Sequence, residues 1–108
     1  MIEIKFRNGS RMKRFLKGKA LDDRINLVTE HIYSHSDAYR KVMAFIDRQH
    51  PCDEYQAAYY MDTLIRVVVL SDDRNDRFII RNSTSKYYVH MYRVARNIRI
   101  MLNEEEQL

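Results

Sequence analysis

A chain of 108 residues that is 45% hydrophobic and 31% charged fits one globular domain, taken here as 1–108, and excludes a disordered composition. One cysteine, Cys52, excludes an internal disulfide, and no apolar run approaches the roughly 20 residues of a membrane span. The net charge of +4 is uneven: residues 1–19 hold seven Lys or Arg against one acid, whereas residues 20–108 hold twelve against fourteen.

The first segment alternates Ile2, Ile4 and Phe6 with Glu3, Lys5 and Arg7, which is strand periodicity. Asn8-Gly9 tolerates the positive φ of a hairpin turn. A three-residue loop, Asn8 to Ser10, sets Phe6 opposite Met12 and Ile2 opposite Leu16. It also sets Lys5 opposite Lys13 and Arg7 opposite Arg11, with Arg14 facing Ile4. Like charges face to face are unfavourable, so this basic hairpin invites an anion.

Helical spacing follows. Leu21, Ile25, Val28 and Ile32 share one face from about residue 20 to 34, with Asp22 and Asp23 in the first turn, where the macrodipole favours acids. Ser36 is an expected N-cap for a second helix, carrying Tyr39, Val42, Met43 and Ile46 to about residue 49. Pro51 suits the first turn of a third helix, along which Tyr55, Ala58, Met61, Ile65 and Val68 recur to about residue 70. The β-branched run at 64–70 is also compatible with a strand. Residues 71–76 read as a polar turn, and 77–81 as a short apolar run with strand character. Ser83 or Ser85 caps a last helix to about Asn103, leaving 104–108 as a frayed acidic tail. Two glycines and one proline favour helices throughout. The expected fold is α+β and mostly helical: an N-terminal basic β-hairpin packed on about four helices, with extra strands at 64–70 and 77–81 as the alternative.

On the last helix, Tyr88, Met91, Ala95, Ile98 and Leu102 centre an apolar arc, which Tyr87, Val94 and Met101 widen. Lys86, His90, Arg93 and Asn97 form a polar stripe opposite, with Arg96 beside it. Arg99 falls at the edge of the arc, positioned for stacking on Tyr92 or pairing with a carboxylate. Eight tyrosines cluster at Tyr55, Tyr59, Tyr60 and at Tyr87, Tyr88, Tyr92. Tyrosines stack on unpaired bases or anchor protein interfaces, although boundary packing is their commoner role.

Chemistry-bearing patterns are sparse. His31 and His35 share one side of a helix, but no third metal ligand is evident from spacing. His50 and Cys52 lack an orienting partner, and Asp72, Asp73 and Asp76 fit neither a calcium loop nor a two-metal centre. Two glycines cannot form a phosphate loop. No catalytic residue, metal or cofactor is assigned, and a non-enzymatic role is expected.

Taken together, these features indicate a small cytoplasmic nucleic-acid-binding protein, backbone-led, with RNA favoured because tyrosines offer stacking. Lys5, Arg7, Arg11, Lys13, Arg14 and Lys17 on the hairpin, and Lys86, Arg93 and Arg96 on the last helix, are the expected contacts. The alternative is a small protein-binding regulator or inhibitor, of the kind phages use in host takeover or anti-defence, docking on an acidic or nucleoprotein surface. A homodimer through the wide apolar arc is a third reading. No membrane partner is expected.

Overall fold

The computed structural model describes residues 18–106, and among these it is entirely helical. Five helices follow in order: α1 (Gly18–Ser34), α2 (Ser36–Arg48), α3 (Glu54–Leu70), α4 (Asp73–Asn82) and α5 (Lys86–Glu106). The α+β expectation is therefore corrected to all-α for this part of the chain. The hairpin assigned to the first nineteen residues lies outside the described residues, apart from Gly18 and Lys19, which belong to α1. The alternative strands are overturned: 64–70 lies within α3 and 77–81 within α4.

The reason for the first failure is position. Helix α3 packs against α1, α2 and α5 at once. Thr63, Leu64, Ile65 and Val67 to Leu70 are all buried. A helix covered on every side needs apolar residues all round, so its sequence loses the 3.6-residue alternation and imitates a buried strand. Valine's modest helix cost, a few tenths of a kcal/mol (at most ~0.7), is outweighed by burial of roughly 1.5–3 kcal/mol per large side chain.

The second failure turns on a cap. Asp72 is extended, and its carboxylate accepts from the Asn75 backbone N–H at 2.7 Å. Asp73 and Asp76 then occupy the first turn, where the positive end of the helix dipole stabilises them. The polar "turn" is thus the start of α4. Asp53 starts α3 in the same way, accepting from Gln56 N–H at 2.8 Å, so Pro51 precedes that helix rather than opening it. The expected cap Ser36 is instead the first residue of α2, and His35 holds the N-cap position without a side-chain cap bond. His50, with φ of 51°, takes the left-handed conformation just beyond α2. Ser85 caps α5, its hydroxyl accepting from Tyr88 N–H at 3.3 Å.

The core is assembled from Val28 and Ile32 of α1, Val42 and Phe45 of α2, Leu64 and Val67 of α3, and Met91, Ala95, Ile98 and Leu102 of α5. Helix α4 lies on α5 and is locked there by one polar cluster. Arg99 pairs with the fully buried Asp76 through Nη1. Its Nε and Nη2 donate to the Val68 and Val67 carbonyls at 3.1 and 2.9 Å. Ser71 donates to the other Asp76 oxygen at 2.7 Å. Arg99 therefore pairs with a carboxylate, as one of its two expected roles required, and also satisfies the C-terminal carbonyls of α3. Burial pushes the Asp76 carboxyl up, against the opposing pull of Arg99 and Ser71.

No described helix is long and apolar enough to cross a membrane.

Candidate functional site

The two tyrosine clusters of the sequence meet at one end of the bundle. There the last turns of α2 adjoin the first turns of α3 and α5. Phe45, fully buried, is the floor: the Tyr87 ring stacks on it at 5.9 Å between centroids, and the His90 ring tilts against it at 5.4 Å. From Tyr87 the rings continue outward in both directions. Tyr88 lies 5.2 Å away, Tyr60 lies 6.0 Å away, and Tyr59 follows 5.4 Å from Tyr60. The outer members, Tyr59 and Tyr88, are 45% and 49% exposed, and Tyr55, one turn before Tyr59, is 79% exposed. Burial and the neighbouring phenols raise the Tyr87 hydroxyl to about 12, so it stays a neutral donor.

Cations flank the rings. Arg48 ends α2, and Lys86 and Arg93 lie on the outer stripe of α5, all exposed. Among the described residues neither Arg48 nor Arg93 forms an ion pair. Both bear on His90. Burial first, then Arg48 and Arg93, hold its imidazole below the ordinary 6.5. His90 thus joins the aromatic floor to the two free guanidinium groups. Asp53 and Glu54 make an acidic edge at the start of α3, so an anion's favourable path follows α5 and the end of α2.

The remaining expected contacts fare differently. Arg96 is engaged, its Nε donating to Asp73 at 2.6 Å, while Arg77 holds the second Asp73 oxygen at 3.0 Å. The bond to Arg96 is the main influence that holds the Asp73 carboxyl below its ordinary range, with the charges of Arg77 and Arg96 adding to it. Lys5, Arg7, Arg11, Lys13, Arg14 and Lys17 lie outside the described residues. Tyr92, placed with Tyr87 and Tyr88 by sequence, is buried in the core and takes no part in the exposed face. Tyr88, placed at the centre of the apolar arc, is half-exposed instead.

At the opposite end of α5, the structure brings together residues that sequence left apart. Helix α5 continues to Glu106, past the expected end near Asn103. Glu105 Oε2 lies 2.7 Å from His31 Nδ1 and 3.7 Å from His35 Nε2. The two imidazoles stack at 4.1 Å. A carboxylate 74 positions beyond His31 carries no local signal. Cys52 is exposed and free.

No family model matches this chain, and neither a curated protein nor a solved structure matches it.

Proposed function

We propose that this protein binds single-stranded nucleic acid, RNA in preference to DNA, as a binding protein rather than an enzyme. The observation that supports the reading best is the run of rings Tyr59–Tyr60–Tyr87–Tyr88 beside Arg48 and Arg93, which form no ion pair among the described residues. Single-strand binders combine aromatic faces for base stacking with cations that follow the phosphates, and each stacked base contributes roughly 1–3 kcal/mol. Tyr59 and Tyr88 are the stacking surfaces, with the buried Phe45 and the half-buried Tyr87 fixing their position. Arg48, Lys86 and Arg93 take phosphates, and the basic residues Lys5, Arg7, Arg11, Lys13, Arg14 and Lys17 add to the same electrostatic term. The contact is led by backbone and stacking, so sequence preference is weak and salt sensitivity strong.

Fluorescence anisotropy of the full chain with a labelled oligouridylate, its DNA counterpart and a duplex tests this. Saturable binding in the order RNA, single-stranded DNA, duplex is expected, weakened on Tyr88→Ala or Tyr59→Ala by about 5- to 150-fold each. Absence of binding, or equal binding by the tyrosine variants, would sink the proposal. Exposed tyrosines also anchor protein interfaces. A stoichiometric protein complex that survives nuclease and is lost in the same tyrosine variants would transfer the face to the second reading, a protein-binding regulator.

A further inference from the structure

The geometry points to a divalent transition-metal site at the far end of α5, formed by His31, His35 and Glu105, with Zn2+ as its best-matched occupant. One ligating atom from each residue lies within 4.8 Å of the other two. Ligands at Zn–N and Zn–O distances of ~2.0–2.2 Å in a tetrahedron sit roughly 3.3–3.5 Å apart. The observed separations of 2.7 and 3.7 Å around Glu105 Oε2 bracket that value. Sub-ångström shifts of exposed or half-exposed side chains, with a small rotation of the His35 ring out of its stack, close the set.

Two features distinguish this trio from an ordinary surface ion pair. The first is the tautomer of His35. Its Nδ1 lies 2.9 Å from the His31 carbonyl, which can only accept, so Nδ1 carries the hydrogen. In the neutral imidazole Nε2 then presents a lone pair toward Glu105 Oε2, and two acceptors face each other across 3.7 Å. A cation between them resolves that opposition. Donation of the second ring nitrogen to a backbone carbonyl is also how metal-ligating histidines are held in orientation.

The second feature is His31. Its side chain is only 4% exposed, and its Nε2 is buried with no hydrogen-bond partner among the described residues. Burial of such a group costs free energy that an apolar residue of similar shape avoids. Among the described residues Glu105 is the ring's one polar attachment; in the proposed site the metal takes the Nδ1 lone pair and the ring hydrogen moves to Nε2. Beside the trio opens a cleft of about 370 Å³, lined by Leu27, Glu30, His31, Ser34, Leu102 and Glu105. It has ample room for water in the remaining coordination positions. Two imidazoles and one carboxylate suit Zn2+ and its first-row neighbours rather than Mg2+ or Ca2+, which prefer oxygen. The bound ion would tie the end of α1 and the start of α2 to the end of α5.

The site is independent of the nucleic-acid reading, because about fifteen residues of helix, or ~22 Å, separate His90 from Glu105. Calorimetric titration of the metal-free full chain with Zn2+ tests it, with Co2+ absorption reporting the ligand field. One Zn2+ per chain is expected, with affinity falling about 10-fold or more in His35→Ala and in Glu105→Ala. Both side chains are about half exposed, so these variants keep the fold, which circular dichroism verifies. His50→Ala and Cys52→Ala should bind as the parent does. No saturable uptake of Zn2+, or uptake unchanged in both His35→Ala and Glu105→Ala, overturns the assignment.

Discussion

The two ends of α5 differ in how they are built. At its start the chemistry comes from neighbours in sequence: Tyr87, Tyr88 and His90 within four residues, joined by Tyr59 and Tyr60 from one turn of α3. At its end, His31 and Glu105 meet across 74 positions. Between them Arg93 and Arg99, six residues apart on one helix, have opposite fates. Arg99 makes three polar contacts, to Asp76, Val67 and Val68. Arg93 is exposed, and no described carboxylate pairs with it. A partly buried guanidinium engaged on all three nitrogens holds a fold together. An exposed, unsaturated one beside aromatic rings is available to a ligand.

The largest effect should come from breaking the saturated arginine. Arg99→Met strands the buried Asp76 carboxylate and removes the Arg99 bonds to two α3 carbonyls, of which Val67 keeps the Ser71 N–H. The expected loss is about 3–5 kcal/mol, or a Tm drop of ~15 °C or more by calorimetry. Pairing it with Asp76→Leu should recover much of that loss, because both buried polar partners are then removed together. A single variant that melts like the parent would show that the Asp76–Arg99 pair does not hold α4 in place.

Arg93→Glu should leave Tm nearly unchanged and weaken oligouridylate binding by roughly tenfold at 0.1 M salt, read by anisotropy. Equal damage to stability from Arg93→Glu and Arg99→Met would erase the distinction between the two arginines.

His90 gives a finer test. Its folded-state value lies below 6.5, so the unfolded chain takes up a proton that the fold resists. This share of stability is present at neutral pH and is lost as pH falls from 6.5 through the lower folded value. A bound phosphate offsets the field of Arg48 and Arg93 and moves His90 upward. Nuclear magnetic resonance titration of its ring protons, with and without oligouridylate, should show that rise, and no movement would place the nucleic acid elsewhere.

The smallest effect is expected at Asp73. Asp73→Asn releases Arg96 and Arg77 from their shared carboxylate, and RNA affinity should rise by less than about tenfold. A fall in affinity would show that the ion pair itself shapes the binding face.

These two ends also mark what sequence could reveal. The Lys86–His90–Arg93 stripe and the tyrosine clusters follow from a helical period of 3.6 residues and from local composition, so they were legible. Their convergence on Phe45 was not, because it depends on the packing of α2 and α3 against α5. A carboxylate partner for Arg99 was foreseeable from its place at the edge of the apolar arc, but not that it would be Asp76, within residues that read as a turn. The near-complete burial of the C-terminal half of α3, residues 63–70, erased the periodicity that separates helix from strand. Glu105 read as tail because an acid opposes the dipole at a helix end. The structure offsets that cost with His31, whose Nδ1 lies 2.7 Å from the Glu105 carboxylate.

The proposed function is tested most directly by the salt dependence of oligouridylate binding to the parent and to the Arg48→Ala/Arg93→Ala double variant. Each lost phosphate contact on a single strand removes about 0.7 from the slope of log K against log salt. The account predicts a slope shallower by about 1.4 in the double variant, with Tm unchanged. An unchanged slope would contradict it, because the guanidinium groups beside the tyrosines would then not be touching phosphate.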